Sequence, residues 1–326
     1  SGGPHGAIDL TSTNVFVADA ANPLLRNPHG ALNVAAGNFT GDDLPVIIAA
    51  QGLGGSNQIR ALQLASSQGS RARLAVVGTF QGLTGRAVQN NGSGGTSVAA
   101  GDLDGDGLDE LVVGQMNGEG AETLFQVIEL GKAENGLIQV LNRIDPVAGM
   151  PAGYRGLGGI NLEVGDVDGD GDNEIVTATA GIPNGAVGSS EKSFFMIFEP
   201  LIEDNVENDR HEVIGVNAHA GMLPYSVFTS EVNPSGGVGI ALGNLDNDIA
   251  DEIVVSTRGI ETVDEITGEV TVLEPAPVNL VKGFNLDFAA DGTFLRSSIR
   301  MPAFQAFGGI FAPTSGAVDV SFYPPE

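Results

Sequence analysis

The same acidic loop stands between the same two apolar runs three times in this chain. The copies read VAAGDLDGDGLDELVVG (98–114), LEVGDVDGDGDNEIVTA (162–178) and IALGNLDNDIADEIVVS (240–256), with a weaker fourth, VAAGNFTGDDLPVIIAA, at 34–50. The glycines that open the loops, Gly37, Gly101, Gly165 and Gly243, are 64, 64 and 78 residues apart. Recurrence at so long a period marks a repeat architecture. Each unit is too long for a solenoid coil and fits a four-stranded sheet with generous loops.

The flanks indicate what repeats. Before each loop stands a short run: Leu32-Asn33-Val34, Ser97-Val98-Ala99, Asn161-Leu162-Glu163, Gly239-Ile240-Ala241. After it comes an apolar run: Val46-Ile47-Ile48, Leu111-Val112-Val113, Ile175-Val176, Ile253-Val254-Val255. Short β-branched runs bounded by Gly and Asp read as strands. Two further strand-like runs follow in each unit, for example Leu124–Leu130 with Leu137–Leu141, and Val278–Phe284 with Thr293–Ile299. Polar turns such as Glu134-Asn135-Gly136 and Ala290-Asp291-Gly292 separate them. Repeated four-stranded units predict an all-β chain, a β-propeller of four-stranded blades. The units span about 30–93, 94–157, 158–235 and 236–315, in one domain covering 1–326. A propeller ring must close or expose sheet edges, so residues 316–326 together with 1–29 are expected to form a fifth, closing blade; the alternative is a piece of a longer propeller, with the N-terminal segment the tail of a preceding blade.

Closely spaced carboxylates on a tight turn repel one another unless a cation sits among them. In the second unit Asp102, Asp104 and Asp106 fall at loop positions 1, 3 and 5, the Leu108 carbonyl at position 7 and Glu110 at position 9. The third unit offers Asp166, Asp168, Asp170, the Asp172 carbonyl and Glu174. The fourth offers Asn244, Asp246, Asp248, the Ala250 carbonyl and Glu252, with Ile249 in place of the turn glycine. Oxygen-only ligands select a hard cation, Ca²⁺ before Mg²⁺. Two to three structural ions are expected. The first unit has only Asn38, Thr40 and Asp42, with Val46 at position 9, and is expected to hold itself by side-chain hydrogen bonds. An EF-hand needs a bidentate Glu at position 12 and flanking helices; here position 12 is Val113, Thr177 or Val255. Simple Asx-turns are the other reading, strained by 11 carboxylates at positions 1, 3, 5 and 9 of three loops.

These loops and flanks resemble FG-GAP repeats, the blades of the integrin α-subunit propeller and of many bacterial surface proteins. The resemblance implies a D-x-[DN]-x-D-G-x-x-D loop that joins the first two strands of a blade and binds Ca²⁺. Gly94-Gly95, Gly158-Gly159 and Gly236-Gly237 replace the family's Phe-Gly, and position 9 is Glu rather than Asp.

Composition constrains partners and compartment. The formal charge is −27, and Lys132, Lys192 and Lys282 are the three lysines. Such acidity argues against nucleic acid, which needs a basic footprint, and against direct contact with anionic membrane. There is no Cys, hence no disulfide framework or thiol chemistry. No signal peptide or membrane span is legible, which reads as a mature form or an excised piece. Ca²⁺ sites of extracellular modules bind at about 10⁻⁴–10⁻³ M, so the expected location is extracellular or cell-surface.

The expected function is an adhesion or interaction module that binds protein or glycan on the face opposite the metal loops. That face carries the variable connectors Gln51–Asn57, Gln115–Glu122, Ala180–Lys192 and Thr257–Thr271. The alternatives are a structural subunit of a surface layer, filament or giant surface protein, with self-assembly, and a carbohydrate-active enzyme. For catalysis the candidates are Tyr154, Arg155, His211 and His219, each outweighed by a surface or packing role. The long connector Asn217–Pro234, with His219, Met222 and Tyr225, is placed over the central channel or against a ligand.

Overall fold

A computed structural model describes residues 32–42, 44–52, 57–65, 73–85, 95–116, 124–145, 159–180, 194–205, 210–227, 237–246, 248–257, 260–263, 270–274 and 280–305. Four antiparallel four-stranded meanders, one per repeat, make up the architecture. Blade 1 contains β1 (Leu32–Gly37), β2 (Val46–Gln51), β3 (Gln58–Ala65) and β4 (Arg73–Gln81). Blade 2 contains β5 (Thr96–Gly101), β6 (Glu110–Gln115), β7 (Phe125–Lys132) and β8 (Ile138–Ile144). Blade 3 contains β9 (Ile160–Gly165), β10 (Glu174–Thr179), β11 (Phe194–Asn205) and β12 (Arg210–Ala218), with a short β13 (Tyr225–Ser226) also paired to β11. In blade 4, β14 (Val238–Gly243) and β15 (Glu252–Thr257) precede a separate hairpin, β16 (Ile260–Val263) with β17 (Val270–Glu274). The blade is completed by β18 (Leu280–Phe288) and β19 (Phe294–Gln305).

First strands pack beside first strands, β1 by β5, β5 by β9 and β9 by β14, which is the radial order of a propeller. The fifth, closing blade expected from 316–326 and 1–29 lies outside the described residues. The apolar runs after the loops become second strands. Along β6, β10 and β15 every residue is buried. A strand sandwiched between neighbouring blades loses solvent on both faces, so it reads as a continuous apolar run rather than an alternating one.

The core is continuous between blades. Phe125 of blade 2 meets Phe198 of blade 3 edge-on, with ring centroids 5.1 Å apart. Phe195 of blade 3 meets Phe284 of blade 4 at 5.8 Å. All four rings are fully buried, each contributing about 1.5–3 kcal/mol by leaving water.

One expectation changes at blade 3. The stretch Asn217–Pro234 is not a free connector as far as residue 227. Asn217 and Ala218 end β12, Tyr225–Ser226 pair with Phe194–Phe195, and His219, Met222 and Val227 are buried. Met222 and Val227 pack in one cluster with Phe195 of blade 3 and Phe284 of blade 4, whereas Leu223 is exposed; residues 228–234 lie outside the described residues. The face of the acidic loops also carries a hairpin. Phe198, the register partner of Ile175 on β10, pairs with Ala218, so the β11–β12 hairpin projects past the loop of its own blade.

Candidate metal centre

Sheet register builds the loops. In each blade the opening glycine is the pairing partner of position 9: Gly37 with Val46, Gly101 with Glu110, Gly165 with Glu174 and Gly243 with Glu252. The ninth side chain therefore stands at the base of the loop. In loops 2 and 3 the chain wraps around the first carboxylate. Asp102 accepts from the Gly105 N–H (2.8 Å) and, through its other oxygen, the Gly107 N–H (3.0 Å); Asp166 does the same with Gly169 and Gly171 (2.6 and 3.0 Å). Gly107 and Gly171 have φ of 86° and 100°, where a Cβ is strongly disfavoured. Asp106 and Asp170 face their own turn and accept from Leu108 N–H (2.8 Å) and Asp172 N–H (3.0 Å).

Position 9 is the buried wall. Glu110, Glu174 and Glu252 each accept, through Oε2, the N–H of position 2: Leu103 (2.9 Å), Val167 (2.8 Å) and Leu245 (2.5 Å). Leu103 and Val167 are plugged into the core, which anchors the loop. The second oxygen of Glu174, Oε1, is buried and has no hydrogen-bond partner. Ligand atoms of Asp102, Asp104 and Glu110 lie within 4.8 Å of one another, as do those of Asp166, Asp168 and Glu174, and of Asp246, Asp248 and Glu252. Burial pushes Glu110 and Glu174 up to about 9, reinforced by the neighbouring aspartates at Glu110 and by Glu199 and then the aspartates at Glu174. Burial also raises Asp104 to about 6 and lifts Asp168 and Glu252 above their ordinary range. Carboxylates held this dry and this close stay ionised only with a cation among them.

Loop 4 uses positions 3, 5 and 9, whereas loops 2 and 3 use 1, 3 and 9. At its position 1, the Asn244 amide nitrogen is turned onto the Asp248 carbonyl. The Ala250 N–H donates to Asp248 Oδ1 (2.9 Å). Loop 1 has the internal bonds expected of it. Gly41 N–H donates to Asn38 Oδ1 (3.0 Å) and Thr40 Oγ1 to Asp42 Oδ2 (2.8 Å), and Lys132 of blade 2 pairs with Asp42.

Sequence reading missed position 8. Asp109 N–H donates to the Asn38 carbonyl (3.0 Å) and Asp109 Oδ2 accepts the Asn38 N–H. Asn173 Nδ2 donates to the Asp102 carbonyl (2.8 Å), and Asp251 N–H to the Asp166 carbonyl (2.7 Å). In loops 2, 3 and 4 the eighth residue thus latches onto the first residue of the preceding loop. Gly37 and Gly165 make room for this contact. A Cβ on Gly37 would stand 2.3 Å from Asp109 Oδ2, and one on Gly165 would stand 2.7 Å from Asp251 Oδ2. No local pattern marks position 8, because its partner is a whole repeat away.

The candidate histidines also lie on this face. His211 Nδ1 is 3.0 Å from the Asp104 carbonyl, so β12 leans over the loop of blade 2. His219 is buried, with Nε2 at 2.6 Å from Glu199 Oε1 and 3.5 Å from Asp168 Oδ2. Glu199 was not legible as a site residue; it follows Phe198 and so comes level with Glu174. Tyr154 and Arg155 lie outside the described residues.

Four meander blades with first strands packed in radial order, three of them carrying an acidic loop between strands 1 and 2, define a β-propeller-type repeat module. The FG-GAP repeat family model matches residues 94–140, so the chain carries an FG-GAP repeat, and that match spans the acidic loop and three strands of blade 2 in full. None of the curated proteins matches the chain in sequence. Among the described residues no helix is long and apolar enough to cross a membrane.

Proposed function

We propose that this chain is a Ca²⁺-stabilised β-propeller module that works outside the cell, binding a protein or glycan partner. The observation that carries the metal reading is the buried, unpartnered Oε1 of Glu174 beside Asp166 and Asp168. A buried ionised oxygen without a donor is costly, and a hard cation satisfies it. Asp102, Asp104 and Glu110, then Asp166, Asp168 and Glu174, and then Asp246, Asp248 and Glu252 would hold the ions. The role is structural: the cation neutralises the loop, and the loop's first residue holds the position 8 latch of the next blade. At free Ca²⁺ of 100 times Kd, each site adds about 2.7 kcal/mol. Extracellular Ca²⁺ fills sites of about 10⁻⁴–10⁻³ M affinity and cytosolic Ca²⁺ does not, which supports the outside location.

The test is a calorimetric Ca²⁺ titration of EDTA-stripped protein with Tm followed in parallel. About two to three equivalents bound with a rising Tm support the reading; no binding and no shift leave the loops as hydrogen-bonded turns and remove it. Partner binding is proposed for the face opposite the loops, because long connectors on a rigid scaffold are common binding sites. Glycan binding without release of oligosaccharide supports a non-catalytic module; turnover points to the enzyme. A second reading, self-assembly through blade edges, is favoured by exposed Leu141, Ile214 and Leu295 on the outer strands β8, β12 and β19. Concentration-dependent mass in sedimentation velocity tests it.

A further inference from the structure

The cluster at the edge of loop 3 differs from the oxygen-only loops because it contains a buried imidazole. His219 follows β12, and its ring lies 4.8 Å from the ring of Phe288 of blade 4. Its Nδ1 is 3.3 Å from the Ala220 carbonyl. A carbonyl only accepts, so Nδ1 carries the hydrogen, and in the neutral ring Nε2 presents a bare lone pair. That lone pair is aimed at Glu199 Oε1 and Asp168 Oδ2. The side chain is 2 % exposed, and although Glu199 is close, Nε2 has no partner in hydrogen-bond geometry. Three electron-pair donors, Nε2 and two carboxylate oxygens, lie within 4.8 Å of one another. Such a convergence repels itself unless a proton or a cation occupies its centre.

We propose that His219, Glu199 and Asp168 form a second kind of metal site, selective for a borderline first-row cation of the Zn²⁺ type and sharing Asp168 with the third acidic loop. Imidazole nitrogen suits Zn²⁺ and its neighbours, whereas Ca²⁺ takes oxygen. The Ala220 carbonyl holds the ring in the ligating tautomer, as outer partners of metal-bound histidines do. Glu199 is 35 % exposed, which leaves an entry path from solvent. Asp168 Oδ1 accepts the Asp170 N–H (3.1 Å) while Oδ2 faces His219, so the two oxygens of one carboxylate serve the loop and the imidazole. The site stands apart from the Ca²⁺ reading, since two of its three ligands lie outside the loop.

The test is a Zn²⁺ titration of the full chain at neutral pH, in EDTA-stripped protein and again in excess Ca²⁺, followed by calorimetry. Co²⁺ absorption serves as the signature of a nitrogen-containing ligand set. One Zn²⁺ that excess Ca²⁺ does not displace is expected. His219→Gln and Glu199→Gln should each weaken it at least about tenfold and leave loop 2 Ca²⁺ binding unchanged. Glu199 is partly exposed, so its variant keeps the test open if the buried His219 variant does not fold. Zn²⁺ affinity equal in wild type and Glu199→Gln, or Zn²⁺ fully displaced by Ca²⁺, would overturn the site and leave His219 as an imidazolium between two carboxylates. Zn²⁺ bound with no Ca²⁺ response would retain this site and remove the Ca²⁺ reading.

Discussion

Glu174 does two jobs with two oxygens. Oε2 fixes the Val167 N–H and with it the turn; Oε1 stands buried and unmatched. Glu174→Gln keeps the shape and removes the charge. In Ca²⁺ it should lower Tm by on the order of 5 °C, by loss of one site's contribution. In EDTA it should leave Tm unchanged or raise it, because a neutral amide spares the folded chain the cost of keeping a buried carboxyl protonated; differential scanning calorimetry reads both arms. The same burial gives a pH dependence. Glu110 and Glu174 have folded values raised from 4.5 to about 9. The Ca²⁺-free folded chain therefore holds protons that the unfolded chain has released. That contribution is full below about 4.5 and is lost as pH rises toward about 9. The Tm in EDTA should fall across this window, and excess Ca²⁺ should flatten the fall, because the cation replaces the proton.

At the scale of the element, blades are joined at a glycine and a latch. A Cβ on Gly101 would stand 2.4 Å from Val164 Cγ1 of the next blade, so Gly101→Ala should destabilise by about 1–3 kcal/mol through overpacking. Asn173→Ala removes the donor to the Asp102 carbonyl and should lose about 1 kcal/mol. Urea unfolding at fixed Ca²⁺ measures both. By contrast, the Lys132–Asp42 pair also crosses blades, but both side chains are 36 % exposed. Solvent screens it, and Lys132→Gln should leave the urea midpoint essentially unchanged.

Across the whole molecule, aromatic contacts run from blade 2 to blade 3 and from blade 3 to blade 4. Blades that share a core cannot open singly without exposing a neighbour. Phe198→Ala should destabilise by about 3–5 kcal/mol and weaken blades 2 and 3 together. In native-state hydrogen exchange the amides of β6, β10 and β15 should be the slowest, because these strands are buried along their whole length. Exchange that is slowest in the outer strands β8 or β12 would contradict this layering.

The linear chain determined what is local and periodic. The repeat length, the four strands of a blade and the order of ligands within a loop are all set by residues close in sequence, where turn chemistry and strand period act. Loop 1 was legible in the same way, since Asn38, Thr40 and Asp42 bond within four residues of one another. Only the tertiary structure decided how one unit meets the next. Position 8 bonds a loop a whole repeat away, Gly101 is small because Val164 arrives from another blade, and Glu199 joins the site through sheet register. The residues of Asn217–Pro234 read as a connector because their apolar side chains carry no strand period. His219, Met222 and Val227 are buried because packing between blades, not local propensity, determines where they lie.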